Sequence, residues 1–121
     1  PSANDLTGRS GDDSLTLPMR AVGAEGVGSV AGNLVPSDMI RLVNAAASGD
    51  LDVARQMHHQ LFGLCNNMLG LATNPIPVKA AMRMVGRDTG ELRLPMTPLD
   101  AEAEAKLQQT ILAYGLASAA R

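Results

Sequence analysis

The residues able to do chemistry gather in a few short runs. Ser10-Gly11-Asp12-Asp13 carries two adjacent carboxylates, and Gly26-Val27-Gly28-Ser29-Val30-Ala31-Gly32-Asn33 offers close backbone approach beside a hydroxyl. His58-His59, Cys65 and Lys79 add two imidazoles, a thiol and an amine. Paired carboxylates suit acid/base work or a metal, but neighbours on an extended segment point apart. No His or third acid stands at ligand spacing, so helix capping by Asp12 and Asp13 is the default. His58 and His59 diverge by about 100° on a helix, whereas metal binding wants i, i+4 spacing and a third ligand, so they read as a surface pair. Cys65 sits on an apolar stripe with no basic neighbour to lower its pKa and reads as an inert core thiol. Lys79 stands just inside a helix behind Pro77, near a positive dipole end that favours a neutral amine, one requirement of a nucleophile. On a short surface helix it reads more simply as structural. Gly23, Gly26, Gly28 and Gly32 lack the spacing of a dinucleotide fingerprint or a P-loop, and no complete catalytic constellation emerges.

The elements that position these groups follow from periodicity and punctuation. Gly26 to Asn33, small and β-branched, reads as a buried parallel strand, with Gly26 to Val30 its regular part. One helix-sized segment separates it from Ser10-Gly11-Asp12-Asp13, so the two runs read as neighbouring strand ends of a βαβ unit. Leu15, Leu17, Met19 and Val22 form that helix's apolar positions, and Gly23 stops it. Gly28 falls inside the second strand, where glycine weakens pairing unless something packs close to the backbone. Ligands gather beyond the carboxyl ends of parallel strands, so Ser10 to Asp13 and Ser29 to Asn33 are the first places to look for function.

From Pro36 the pattern is helical. Met39, Ile40, Leu42, Val43 and Ala46 make one stripe, ended by Ser48 and Gly49. Asp50 caps the next helix, whose stripe Leu51, Ala54, Met57, Leu61, Leu64, Cys65, Met68 and Leu69 runs for about five turns. Asn74-Pro75-Ile76-Pro77 marks a hard corner before a short helix, Val78 to Val85, ended by Gly86. Arg87 to Pro98 is loop, and Leu99 to Tyr114 is a final helix with Asp100 and Glu102 at its start and Gly115 past its end. Two short strands and about five helices leave both sheet edges unpaired and both faces uncovered, so the natural home of the arrangement is the closing end of a larger parallel sheet.

Composition narrows the function classes. With 121 residues, one Phe, one Tyr and no Trp, the core must come from Leu, Val, Ala and seven Met, and stacking on aromatics is unavailable for nucleic acid. A net charge of -2 without a basic block argues against nucleic acid or an anionic membrane as partner, leaving a small ligand or another protein. The single cysteine excludes an internal disulfide framework and suits a reducing cytoplasm. No apolar run approaches the roughly 20 residues of a membrane span and no leader opens the chain, so a soluble, unexported protein is expected. The chain does not begin with Met, and Pro1 to Arg9 has almost no hydrophobic pattern ahead of a strand end, which suggests a piece of something longer.

Ser10-Gly11-Asp12-Asp13, Gly26-Val27-x-Ser29-Val30-Ala31-x-Asn33, Asn74-Pro75-Ile76-Pro77-Val78-Lys79 and Leu92-Arg93-Leu94-Pro95-Met96-Thr97-Pro98, in this order and spacing, resemble the C-terminal part of the 4-hydroxy-tetrahydrodipicolinate synthase (dihydrodipicolinate synthase) family. The resemblance runs from about Ser10 to Leu116. It also touches the wider pyruvate aldolases, such as N-acetylneuraminate lyase, though the Leu92 to Pro98 ending favours the synthase. It implies an α/β fold, mostly helical by residue count: the last two βα units of a (β/α)8 TIM barrel in residues 1–49, then the family's C-terminal helices in residues 50–121. It implies a lyase in which pyruvate forms a Schiff base with a lysine and the enamine adds to aspartate-4-semialdehyde, on the diaminopimelate route to lysine, with no metal or organic cofactor. Partners would be those two substrates, an N-terminal barrel portion and further copies in a homo-oligomer, in the cytoplasm. Gly11, Asp12, Asp13, Gly28 and Ser29 would line the substrates.

Departures from the family pattern qualify this reading. The Schiff-base lysine and the proton-relay tyrosine belong to earlier strands, so this chain holds no catalytic residue, and Lys79 matches a structural motif. Gly28 replaces the usual isoleucine, and loss of a buried side chain there would cost about 2 to 5 kcal/mol. Arg20 and Glu25 bring charge to positions that are commonly apolar or glycine, and Asn4 to Arg9 is polar where the family has an apolar strand. The rival reading is a non-catalytic helical assembly module that kept the family's helices and lost the chemistry.

Overall fold

The computed structural model describes residues 6–116. Among them are two strands, β1 (Arg9–Ser10) and β2 (Gly26–Val27), and five α-helices, α1 (Thr16–Ala21), α2 (Pro36–Ser48), α3 (Leu51–Leu71), α4 (Ile76–Met84) and α5 (Ala101–Tyr114). The chain divides into two compact units, residues 1–62 and 63–121, a division that falls within α3. Of the polar stretch before β1, Asn4 and Asp5 lie outside the described residues.

In the first unit β1 and β2 pair in parallel, Arg9 opposite Gly26 and Ser10 opposite Val27, as the βαβ reading expects. The ladder continues through Glu25 N to Gly8 O at 2.8 Å and Gly28 N to Ser10 O at 2.7 Å. The long second strand is corrected, however. Regular pairing stops at Val27, both β2 residues are only half-buried, and Ala31–Asn33 winds into a 3-10 turn. The β-branched residues of this run look strand-like locally, but the amides of Val30 and Ala31 are captured by a side chain from the preceding loop.

A second correction concerns the segment between the strands. A 3-10 turn, Asp13–Leu15, precedes α1, and its tighter winding advances the phase of the helix that follows. Thr16 is therefore fully buried while Leu15 is 48% and Val22 81% exposed, and of the expected apolar face only Leu17 and Met19 are half-buried. Arg20 is half-buried and its Nε has no hydrogen-bond partner, a local cost of placing charge here, whereas Glu25 is exposed. Gly23, at φ 105°, turns the chain from α1 back towards β2.

Helix α2 begins with Pro36 in its first turn and ends at Gly49 in the left-handed conformation, both as anticipated. Its buried face is Met39, Leu42 and Ala45, while Ile40 is 59% exposed against expectation. Asp50 accepts a hydrogen bond from Val53 N at 3.2 Å, the expected cap of α3. The α3 stripe is buried at Ala54, Met57 and Leu61 in the first unit and at Leu64, Cys65 and Met68 in the second.

The second unit packs Pro77, Val78 and Ala81 of α4 and Leu107 and Ile111 of α5 into its interior. Asn67 of α3 donates to Thr110 Oγ1 of α5 at 3.3 Å. The Asn74–Pro75 and Leu94–Pro95 peptides are cis. The irregular stretch after α4 is tied back to that helix by the Lys79–Asp88 ion pair at 2.9 Å, while Arg83–Glu104 joins α4 to α5. A Cβ at Gly90, φ +76°, would come within 2.9 Å of Arg83 Cδ, so glycine lets the loop pass under that arginine. Asp100 caps α5 through Ala103 N at 2.8 Å.

These burial differences set contrasting sensitivities. Leu107→Ala should lower the unfolding free energy by about 2–5 kcal/mol, whereas Val22→Ser should stay within about 0.5 kcal/mol of the parent. Urea unfolding followed by circular dichroism measures both.

Candidate functional site

Because β1 and β2 run parallel, their carboxyl ends lie side by side and the loops leaving them meet. Ser10 Oγ donates to Asp12 O at 2.6 Å and accepts from Asp12 N at 3.3 Å, which folds the first loop back on its own strand end. Asp12 then caps the 3-10 turn, its Oδ1 accepting from Ser14 N at 2.8 Å and from Ser14 Oγ at 2.7 Å. That is the capping role the sequence suggests.

Asp13 does something else. It is only 3% exposed, and its carboxylate reaches across to the loop after β2. Oδ1 accepts from Ser29 Oγ, and Oδ2 accepts from Val30 N at 3.0 Å and Ala31 N at 2.9 Å. Ser29 Oγ in turn accepts from Gly32 N at 2.7 Å, and Thr16 Oγ1 donates to Asp13 O at 2.8 Å. Among the described residues the buried polar side chains are Ser10, Asp13 and Thr16, all in this one segment; Ser10 and Thr16 bond within it, and Asp13 bonds to the loop after β2. Asp13 therefore caps a turn, but the turn of the second loop and not its own. The one signal for this is a run of small-residue amides after a strand, facing an acidic residue at the end of its neighbour.

Gly11 and Gly28 are exposed at the same end. No atom lies within 4 Å of a Cβ built at Gly11, and one built at Gly28 would meet only Ser10 O, at 3.8 Å. Within this chain's own atoms the position is open. Gly32 is constrained instead, since its Cβ would stand 3.0 Å from Ser29 Oγ. Beside these loops a groove of about 460 Å³ is lined by Gly26, Val27 and Ser29, by Met39, Ile40 and Val43 of α2, and by the charged Arg9 and Glu25. Exposed Ile40 contributes to its apolar wall.

The remaining candidates make contacts of their own. The His58 and His59 rings meet edge to face at 5.6 Å, and His58 also lies 5.7 Å from Phe62. Partial burial and then the neighbouring His59 hold the His58 pKa below its ordinary value. Cys65 is buried in the apolar stripe. Lys79 is occupied by Asp88, whose carboxyl is held below the usual range chiefly by that hydrogen bond. Among the described residues no three His, Cys, Asp or Glu side chains are grouped to hold a metal ion, and no helix is long and apolar enough to cross a membrane.

Two outcomes follow from this geometry. Gly28→Ala should leave the melting temperature of the chain unchanged within about 2 °C, since the added methyl meets an ordinary contact. For His58 the folded pKa lies below the usual 6.5, so the unfolded chain binds the proton more readily. Its contribution to stability is present above that value and is lost as pH falls through it. His58→Gln should flatten that acid slope, read by thermal melts at about pH 7.5 and about pH 5.

Comparisons with known proteins place the chain. A sequence model of the dihydrodipicolinate synthetase family matches residues 2–114. The 4-hydroxy-tetrahydrodipicolinate synthase of Methanocaldococcus jannaschii is 45% identical over 111 residues, which are 92% of this chain and 38% of that protein. The crystal structure of the dihydrodipicolinate synthase from Aquifex aeolicus superposes with a TM-score of 0.90 at 45% identity, covering 95% of this chain and 39% of the other. A pyruvate complex of the Acinetobacter baumannii enzyme gives 0.87 at 30% identity, covering 93% and 38%. The chain thus spans about two fifths of these relatives' length. Its mostly helical content and its parallel strand pair are consistent with part of their TIM-barrel fold. With the motifs, the strand pairing and these matches in agreement, the chain belongs to the dihydrodipicolinate synthetase family.

Proposed function

We propose that this chain is the C-terminal segment of a 4-hydroxy-tetrahydrodipicolinate synthase, with β1 and β2 as strands seven and eight of a (β/α)8 barrel, completed through residue 49, and residues 50–121 as the helices that follow. The observation that carries the reading is the parallel pairing of β1 and β2 together with the joined loops at their carboxyl ends. Ligands of such barrels sit at that end of the strands. Gly11, Asp12, Asp13, Gly28 and Ser29 belong to the substrate end of the complete barrel, Gly11 and Gly28 offering exposed backbone and Asp12 a half-exposed carboxylate.

In this reading a lysine on the preceding strand forms the Schiff base with pyruvate, and its enamine adds to aspartate-4-semialdehyde. The present residues shape the pocket and supply no nucleophile, because the family's Schiff-base lysine belongs to an earlier strand; Lys79 pairs with Asp88 and Lys106 with Glu102. The complete enzyme needs no metal or organic cofactor, works in the cytoplasm on the route to lysine and assembles as a homo-oligomer.

Incubation of the 121-residue chain with pyruvate and borohydride, followed by mass measurement, should give no adduct. A pyruvyl group on Lys79 or Lys106 would overturn the reading. Grafting residues 10–116 in place of the matching segment of the Aquifex aeolicus enzyme should restore condensation of pyruvate with aspartate-4-semialdehyde. A folded graft that traps pyruvate but condenses it with another aldehyde would assign the segment to a different aldolase.

A further inference from the structure

We propose that Asp13 is a positioning residue: its carboxylate latches the loop after β2 to the loop after β1 and does not itself touch substrate. Both of its oxygens are engaged from within the chain, Oδ1 by Ser29 Oγ and Oδ2 by the amides of Val30 and Ala31. At 3% exposure the group has almost no surface to offer a ligand. The latch fixes the backbone one residue beyond Gly28, the exposed glycine that follows β2. Ser29 relays it one step further by accepting from Gly32 N. Thr16 Oγ1 holds the Asp13 carbonyl, so the latching residue is itself anchored to the first turn of α1.

The chemistry separates this role from acid/base work or substrate binding. Asparagine at position 13 can still place an oxygen where Oδ2 accepts two amides and turn its NH2 towards Ser29 Oγ, which can rotate to accept. Alanine leaves both amides without an acceptor. A positioning role therefore ranks Asp close to Asn and far above Ala, whereas a proton-transfer or charge role ranks Asn with Ala. Only what the latched loop serves rests on the proposed synthase reading; the latch itself stands on these bonds.

The test has two readouts. Amide hydrogen exchange on the 121-residue chain should show Val30 and Ala31 protected in the parent, exchange about tenfold faster or more in Asp13→Ala, and within about threefold of the parent in Asp13→Asn. Unprotected amides in the parent, or no change in Asp13→Ala, would refute the latch. In the Aquifex aeolicus graft, Asp13→Ala should raise KM for pyruvate about tenfold while Asp13→Asn keeps both KM and kcat within about threefold. A fall in kcat in Asp13→Asn as deep as in Asp13→Ala, with the two amides still protected, would make the carboxylate a catalytic group and overturn the proposal. An inactive parent graft counts against the synthase reading alone, since the exchange result still decides the latch.

Discussion

A parallel strand pair ends with a difficulty that its sheet cannot solve: where the chains leave the ladder, a row of amides loses its acceptors. Here one buried carboxylate answers it. Asp13 takes the hydroxyl of Ser29 and the amides of Val30 and Ala31, binding the two strand ends together at the side where ligands of such folds collect. A charged group is costly to bury alone, but three donors aimed at it make the arrangement favourable and highly directional. The short length of β2 and the 3-10 turn at Ala31–Asn33 go with this capture of the loop amides, and Thr16 holds the backbone carbonyl of the same aspartate.

The consequence for function is a division of labour between two adjacent acids. Asp12 stays half-exposed and caps its own turn, while Asp13 is spent on architecture. Gly11 and Gly28 add open backbone, so what these strand ends present is peptide surface more than a set of reactive side chains. That suits a segment which shapes a pocket for chemistry initiated elsewhere in a barrel. The two lysines that could be mistaken for a nucleophile are each held by a carboxylate, and one of those pairs, Lys79–Asp88, helps close the loop behind α4.

The second unit shows the same economy with ordinary means. Leu64, Cys65 and Met68, Val78 and Ala81, and Leu107 and Ile111 fill an interior without any aromatic ring. The loop between α4 and α5 is held by the Lys79–Asp88 ion pair and by Gly90 passing close to Arg83. Aliphatic packing supplies the non-directional stabilisation, and the charged contacts decide where an irregular segment lies.

Local patterning determined a good deal of this protein by itself. The apolar stripe of α3, proline at the start of α2, glycine at the ends of α2 and α5, the Asp50 and Asp100 caps and the parallel order of the two strands were all legible in residue types and spacing. Each depends on residues a few positions apart, where helix period and end chemistry speak directly. Tertiary structure decided the rest: that β2 stops at Val27, that Leu15 and Val22 face outward while Thr16 goes in, that Gly28 is open, and that Asp13 serves the other loop. Those outcomes turn on hydrogen bonds between residues 16 to 18 positions apart, Asp13 with Ser29, Val30 and Ala31. No period or cap rule reaches that far, because the partners become neighbours only once the strands have paired.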